Sequence, residues 1–493
     1  MVTTTARFFH TAGRALALLG ILAMLAMSVR AALLLAGHSL QAIQFPYALD
    51  YGEGPLLDQS VRLARGEGLY RLDVPPYTID NYPPVFALMQ APWVAGFGAS
   101  YAYGRILSLV SALAAALFLA LTAHALTRSR AAAAVSAGLL LATPYLFHWS
   151  ALARIDTLAL ALSLGGLLVA VRWPGSTRAA LAAALLLALA AFTRQTYLLA
   201  APLAAFTWRW GAAGAGAAWK FAVLLGSIVL GAFALLLAAT QGGLWFHLIV
   251  ANVNLLHSAQ IEAYAAEVLR AFPIVLLMAA ALLLLGWTRR AARRAWWLAA
   301  PYLLGGLAVA LTIAKIGSNV NYLYELCAAL ALAGGVCVGL LARLPGLQAV
   351  ALAALAVQIG MLQSLSEDKY AAIVRERIAR QEELAALFTL VRDEARPIVA
   401  DEAMGMLPLA GKPILFQPFE MSQIALGDVW DQREWLDALR DGRYPVVLID
   451  NPYRNPSLRY ERWTPEMLAV INDRFRLATQ RAETSVYWYD AGG

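Results

Sequence analysis

Two carboxylates three residues apart, Asp50 and Glu53, sit in the run Asp50-Tyr-Gly-Glu53-Gly-Pro55. Gly52, Gly54 and Pro55 force a tight backbone there, directly after a long apolar run. A carboxylate so placed can take the proton of an acceptor hydroxyl as a general base. The same acids would also suit the solvated first turn of a helix over 56–66, where negative charge is favoured. Four more clusters hold groups that bind sugar or phosphate. In Tyr77-Thr-Ile-Asp80-Asn81-Tyr82-Pro83-Pro84, Asn81 and Tyr82 could bind sugar hydroxyls, although tyrosines also simply belt a membrane interface. Arg154 and Asp156 lie between apolar flanks, where ionisable residues are costly and often functional; a structural ion pair is the plainer alternative. Arg194, flanked by Thr193 and Gln195, separates two short apolar runs. Its fork matches phosphate oxygens, whereas a purely structural arginine would snorkel. Lys315-Ile-Gly-Ser318-Asn319-Val-Asn321-Tyr322-Leu-Tyr-Glu325 is the most polar entry to any apolar run. Lys315 suits phosphate, and Asn319, Asn321, Tyr322 and Glu325 suit a sugar; capping by Ser318 or Asn319 would account for one or two of them. His247, Asn252, Asn254 and His257 form a weaker polar segment, better explained as a surface helix. Arg30, inside the first apolar run, either snorkels or pairs with an acid such as Glu325.

The elements that must hold these groups are apolar. Of 493 residues 61% are hydrophobic and only 14% charged, against about 25% charged in soluble domains. That excludes an ordinary soluble enzyme and a disordered scaffold and implies a polytopic membrane protein. Runs of membrane-crossing character fall near 14–37, 101–126, 131–147, 155–171, 179–193, 196–208, 221–240, 268–287, 295–314, 322–342 and 347–364, about eleven in all. Residues 83–97 are apolar but short and Pro-rich, which places them at the interface. The first run is too long for a cleaved signal peptide and reads as an anchor.

The net charge of +7 conceals a division: residues 1–365 carry +12 and residues 366–493 carry −5. The basic balance is therefore no argument for nucleic acid; it fits Arg-rich cytoplasmic loops. With the N-terminus (Arg7, Arg14) inside, the cytoplasmic loops contain Arg128, Arg130, Arg172, Arg178, Arg209, Lys220, Arg289, Arg290, Arg293, Arg294 and Arg343. All ten acids of the first 365 residues then fall outside, six of them in the first outer loop, 38–82. An odd number of spans puts residues 366–493 outside as well. This charged tail reads as a small α/β domain. It opens with a helix-like run over 366–395. Strand-like runs follow around 396–403, 412–419, 444–450 and 484–490, with helices over 430–442 and 464–475, the latter capped by Thr464. Cys327 and Cys337 are ten residues apart on one helix, about 15 Å, beyond disulfide reach, and no zinc-like Cys/His spacing occurs.

The stretches DYGEGPLLDQSVRLARGEGLYR, NYPPVFALMQAPW, ARIDTLALALSLGGL, FTRQT and GSNVNYLYEL, in that order over residues 14–364, resemble the GT-C superfamily of membrane glycosyltransferases. The likeness is to the protein O-mannosyltransferase and lipid A aminoarabinose transferase branch and its bacterial relatives of glycosyltransferase family 39 or RgtA/B/C/D-like type. The resemblance implies a GT-C-like helical membrane domain over 1–365 and an extracytoplasmic domain over 366–493, in a bacterial inner or plasma membrane. It also implies a polyprenyl-phosphate sugar as donor, inversion at the anomeric carbon and a first-loop acid as base. The acceptor would be a hydroxyl of a lipid, glycan or protein. That branch usually has adjacent Asp-Glu in the loop; here Tyr-Gly separates them, so Asp50 and Glu53 both stand as candidates. Arg194, with Lys315 or Arg154, would stabilise the leaving phosphate. Asp156 would orient the acceptor or, in a metal-using variant, help bind a divalent ion. The rival classes are a transporter or flippase of lipid-linked saccharides, which calls for mid-membrane charges and paired half-repeats, and a non-catalytic assembly protein. The polar clusters at the outer ends of the runs match neither.

Overall fold

The computed structural model describes residues 2–252, 254, 256–451 and 462–491, with the side chains of 2–10, 290 and 291 (Arg7 and Arg290 among them) outside that description. The eleven apolar runs are helical but not all unbroken: 131–147 breaks at Thr143, between Arg130–Ala142 and Pro144–Trp149, and 268–287 at Phe272, between Ser258–Ala271 and Pro273–Thr288. Among the described residues, six helices are long and apolar enough to cross a membrane: Thr11–Gln44, Ala102–Thr127, Ala215–Ala239, Ala292–Ala314, Val320–Arg343 and Pro345–Ala379. A seventh crossing results if the bent pair Ser258–Ala271 and Pro273–Thr288 counts as one span. The helices Arg130–Ala142, Asp156–Arg172, Thr177–Ala191 and Ala200–Ala213 run 13, 17, 15 and 14 residues. They fall short of the roughly 20 residues of a full crossing. The chain is thus a polytopic integral membrane protein.

Helices Asp156–Arg172 and Tyr324–Leu340 are buried almost throughout and form the centre of the bundle. Lipid tails provide no hydrophobic drive between helices, so close contact must come from small residues. Gly335 illustrates this: a Cβ there would lie 2.0 Å from Ser136 Oγ and 2.5 Å from the Ala132 carbonyl. The peripheral helix Ala215–Ala239 buries only Ala218 and Phe221. Where Pro273 interrupts the bent pair, Gln358 satisfies the freed backbone: it donates to the Ala271 carbonyl at 2.6 Å and accepts from Ile274 N–H at 3.0 Å. This is the repair that a broken helix in lipid requires. Arg30 does not meet Glu325; it bonds Gln363 and pairs with Glu367 at 2.9 Å, both charged side chains half-exposed.

The Pro345 helix continues without a break to Ala379, and a further helix spans Gln381–Asp393. Beyond it a four-stranded sheet has the order β1(Ile398–Ala400)-β2(Val446–Asp450)-β4(Thr484–Tyr489)-β3(Phe475–Arg481), with β1 and β2 parallel and the other pairs antiparallel. The expected helices occur as Arg433–Arg440 and Pro465–Arg474, and the Thr464 hydroxyl accepts from Met467 N–H at 3.2 Å. Two local assignments differ. Residues 412–419 are not a strand of this sheet: Phe416 bridges to Tyr77 of the first loop, and Pro418 starts a helix, Pro418–Leu426. β3 was not expected, because this edge strand buries only Phe475 and shows no apolar alternation. Cys327 and Cys337 are unlinked.

Candidate active site

The six acids of the first loop divide sharply once their partners are placed. Asp58 and Asp80 both bind Arg62, and Asp80 also accepts from Tyr70 N–H at 2.8 Å and Gln59 at 3.2 Å. His247 belongs to the same framework, accepting from Asp80 N–H at 3.1 Å. Asp73 pairs with Arg71 at the surface, and Glu67 is exposed. Glu53 is fully buried. Its carboxylate takes two bonds from Arg105, at 2.9 and 2.8 Å, and one each from Leu49 N–H and Ala153 N–H, both at 2.6 Å. Arg105 in turn donates to the carbonyls of Ala42, Phe45 and Tyr47. Glu53 therefore locks the loop to the Ala102–Thr127 helix and does not line the cavity described next.

Asp50 does. It follows the end of the first helix and bends the chain by accepting from Gly52 N–H at 3.0 Å. Arg154 Nη1 lies 2.7 Å from the same oxygen. The side chain remains 32% exposed. Gly52 leaves room for the guanidinium: an added Cβ would lie 1.3 Å from Arg154 Nη1 and would displace it.

Asp50 opens onto a cavity of about 290 Å³, the site's central feature, which also brings together Asn81, Tyr82, Arg154, Arg194, Gln195, Lys315, Asn319, Asn321 and Tyr322. Nine of the residues picked out as donor or substrate contacts thus converge although they span more than 240 positions. Arg194 sits in extended backbone between Thr177–Ala191 and the short helix Gln195–Leu198. It pairs with Asp156 and lies over the Tyr322 ring, 4.2 Å from its centroid. Gln195 donates to the Asn81 carbonyl at 3.3 Å. Lys315 donates to the carbonyl and side chain of Asn252, while Asn254 holds the Ile316 carbonyl at 2.8 Å. The Asn252–Asn254 segment, read from sequence as a surface helix, thus braces the lysine. Among the described residues Lys315 has no acid partner. Burial, helped by Arg194, lowers its pKa to about 8.

Two residues expected to contact substrate stand behind the cavity wall. Asp156 is fully buried; it holds Arg194, accepts from Asn321 at 3.0 Å and lies 4.0 Å from Arg154. Glu325 is buried against Ser163 at 3.3 Å. Asn319 caps its own short helix, accepting from Val320 N–H at 2.8 Å. Among the described residues no three His, Cys, Asp or Glu side chains converge on one point; Asp156 is held by guanidinium groups instead.

The tail contributes Phe419, Glu420 and Arg462 to the wall. Sequence reasoning missed all three, and also Tyr51. Tyr51 Oη donates to Glu420 at 2.8 Å and accepts from Phe419 N–H at 3.3 Å. The available signal was Pro418 with Glu420 two residues on, a helix-start pattern inside a run read as a strand.

No protein-family model and no curated protein matches this chain. Its architecture does match solved structures. ArnT from Cupriavidus metallidurans bound to undecaprenyl phosphate superposes with a TM-score of 0.61 at 15% identity, covering 95% of this chain and 98% of that one. The Archaeoglobus fulgidus oligosaccharyltransferase complexed with zinc and sulfate gives 0.53 at 12% identity, covering 92% and 73%. The mycobacterial arabinofuranosyltransferase AftD gives 0.55 at 16% identity, covering 94% and 40%.

Proposed function

We propose that this chain, which has the GT-C glycosyltransferase fold, transfers a sugar from a polyprenyl-phosphate donor to an acceptor hydroxyl, on the outer face of the membrane. The observation that carries the reading is the cavity itself: a carboxylate, Asp50, shares about 290 Å³ with Arg194 and with Lys315, which has no acid partner among the described residues. In this mechanism Asp50 takes the acceptor proton as the hydroxyl oxygen attacks the anomeric carbon. The bond from that carbon to the phosphate oxygen breaks, and inversion follows from attack on the opposite face. The phosphate leaves as a weak base, so the site needs cations more than an acid. Lys315 and Arg194 stabilise the charge developing on it. Arg154 orients Asp50, and Asp156 fixes the Arg194 fork. A soluble tail outside the membrane is consistent with its contacts to the loop bearing Asp50.

Two outcomes test these roles. Arg194→Lys keeps a charge beside Asp156 but loses the fork; it should raise the donor KM about 10-fold and leave the acceptor KM unchanged. The reverse pattern would refute a phosphate role. Lys315 is charged below its pKa of about 8 and loses the proton above it. The donor KM should therefore rise as pH increases through 8 to 9. Lys315→Arg, charged throughout this range, should flatten the rise. A flat wild-type profile would count against Lys315.

A further inference from the structure

We propose that Glu420 and Phe419 of the tail, with Tyr51, form the acceptor subsite of this cavity, and that it takes a neutral sugar. The inference rests on the transferase reading above and adds the class of acceptor.

The tail residues are fixed in place by the first loop. Tyr77 N–H donates to the Leu415 carbonyl at 2.9 Å, and Gln417 N–H donates to the Tyr77 carbonyl at 3.0 Å. The Gln417 side chain accepts from Ile79 N–H at 2.7 Å. These bonds pin the start of helix Pro418–Leu426 over the cavity. Tyr51, the neighbour of Asp50, then bonds Glu420, so the proposed base and the tail carboxylate are linked through one residue. Phe419 reaches across to the Lys315 loop: a Cβ on Gly317, whose φ is +82°, would lie 2.4 Å from its ring.

The charged residues lining the cavity are unequally paired. Arg462 is neutralised by Glu402 at 2.8 Å and Arg154 by Asp50 at 2.7 Å. Glu420 lines the same wall, and among the described residues it forms no ion pair and has Tyr51 as its one side-chain hydrogen-bond partner. Among the described residues the lining cation without an acid is Lys315, which Asn252 holds. With Asp50 held by Arg154, Glu420 is the carboxylate left without an ion pair on this wall among the described residues, so an anionic acceptor beside it is unfavourable. A neutral sugar avoids this difficulty. Its hydroxyls donate to Glu420 in charge-assisted bonds, and its apolar ring face meets the aromatic pair of Phe419 and Tyr51, 6.4 Å apart at 76°, whose rings also carry the Arg462 guanidinium at 5.1 and 4.0 Å. An acid that merely opened a helix would gain most of its benefit at the surface. Glu420 is instead built into a wall shared with another segment, and burial raises its pKa.

The test is binding of methyl glycosides of neutral hexoses and pentoses to the full-length protein, without donor, by saturation-transfer NMR. At least one glycoside should bind saturably to the wild type. Glu420→Gln, nearly isosteric and able to keep the Tyr51 bond, should weaken that binding about 10-fold or more, the usual scale for a charge-assisted bond. Phe419→Ala should weaken it too. Equal binding by wild type and Glu420→Gln would overturn the proposal. So would failure of every glycoside to bind while a phosphate-bearing amphiphile, lysophosphatidic acid, does bind. Glycoside binding that depends on Glu420, in a protein that releases no lipid phosphate from any donor, would uphold the subsite and sink the transferase reading instead.

Discussion

Asp50→Asn is expected to lower the transfer rate by about 10²–10⁴-fold, the range of a general base, in a protein that still folds. The substitution is isosteric. Asn retains an oxygen for Gly52 N–H and Arg154, so the turn that carries residue 50 keeps its shape. What disappears is the capacity to accept a proton. Donor KM should change little, because Asp50 is on the acceptor side of the chemistry. Initial rates of sugar transfer by purified protein, together with a thermal unfolding scan, separate the two effects. A rate within a few-fold of wild type would remove Asp50 from the mechanism.

Glu53→Ala should produce the opposite pattern, with loss of the folded state preceding any question of catalysis. The Glu53–Arg105 pair is fully buried. Removing one member leaves a guanidinium without its counter-charge in the protein interior, which typically costs about 3–5 kcal/mol. Arg105 also gathers three backbone carbonyls at the end of the first helix, so the loop bearing Asp50 would lose its anchor. The measurement is a thermal or denaturant midpoint in detergent. A variant with wild-type stability and no activity would return Glu53 to the catalytic candidates.

This contrast shows where the sequence was legible and where it was not. Apolar run length located the helices, because backbone in lipid must satisfy its own hydrogen bonds, but not the number of crossings, since four of the runs form helices of only 13 to 17 residues. The motif order led to the right fold, and nine dispersed polar residues reached one cavity. Asp50 and Glu53, however, cannot be told apart from their spacing, since what separates them is Arg105, 52 positions away, and Arg154, 104 positions from Asp50. Asp156 and Glu325 look like substrate contacts because buried acids are costly, yet both lie outside the cavity lining, Asp156 holding Arg194 and Glu325 bonding Ser163 at 3.3 Å. Phe419, Glu420 and Arg462 were out of reach because their place in the site depends on a bridge between Tyr77 and Phe416, a pairing that no local pattern encodes.

The central claim is that the cavity breaks a sugar–phosphate bond at the expense of an acceptor hydroxyl. It is tested most directly by incubating purified protein, reconstituted in vesicles, with a panel of polyprenyl-phosphate sugars and glycoside acceptors, and measuring free polyprenyl phosphate. The account predicts that wild-type protein releases lipid phosphate in step with formation of an anomerically inverted glycoside, and that Asp50→Asn releases almost none. Intact lipid-linked sugar appearing on the opposite leaflet, with no lipid phosphate released, would contradict it and identify a transporter.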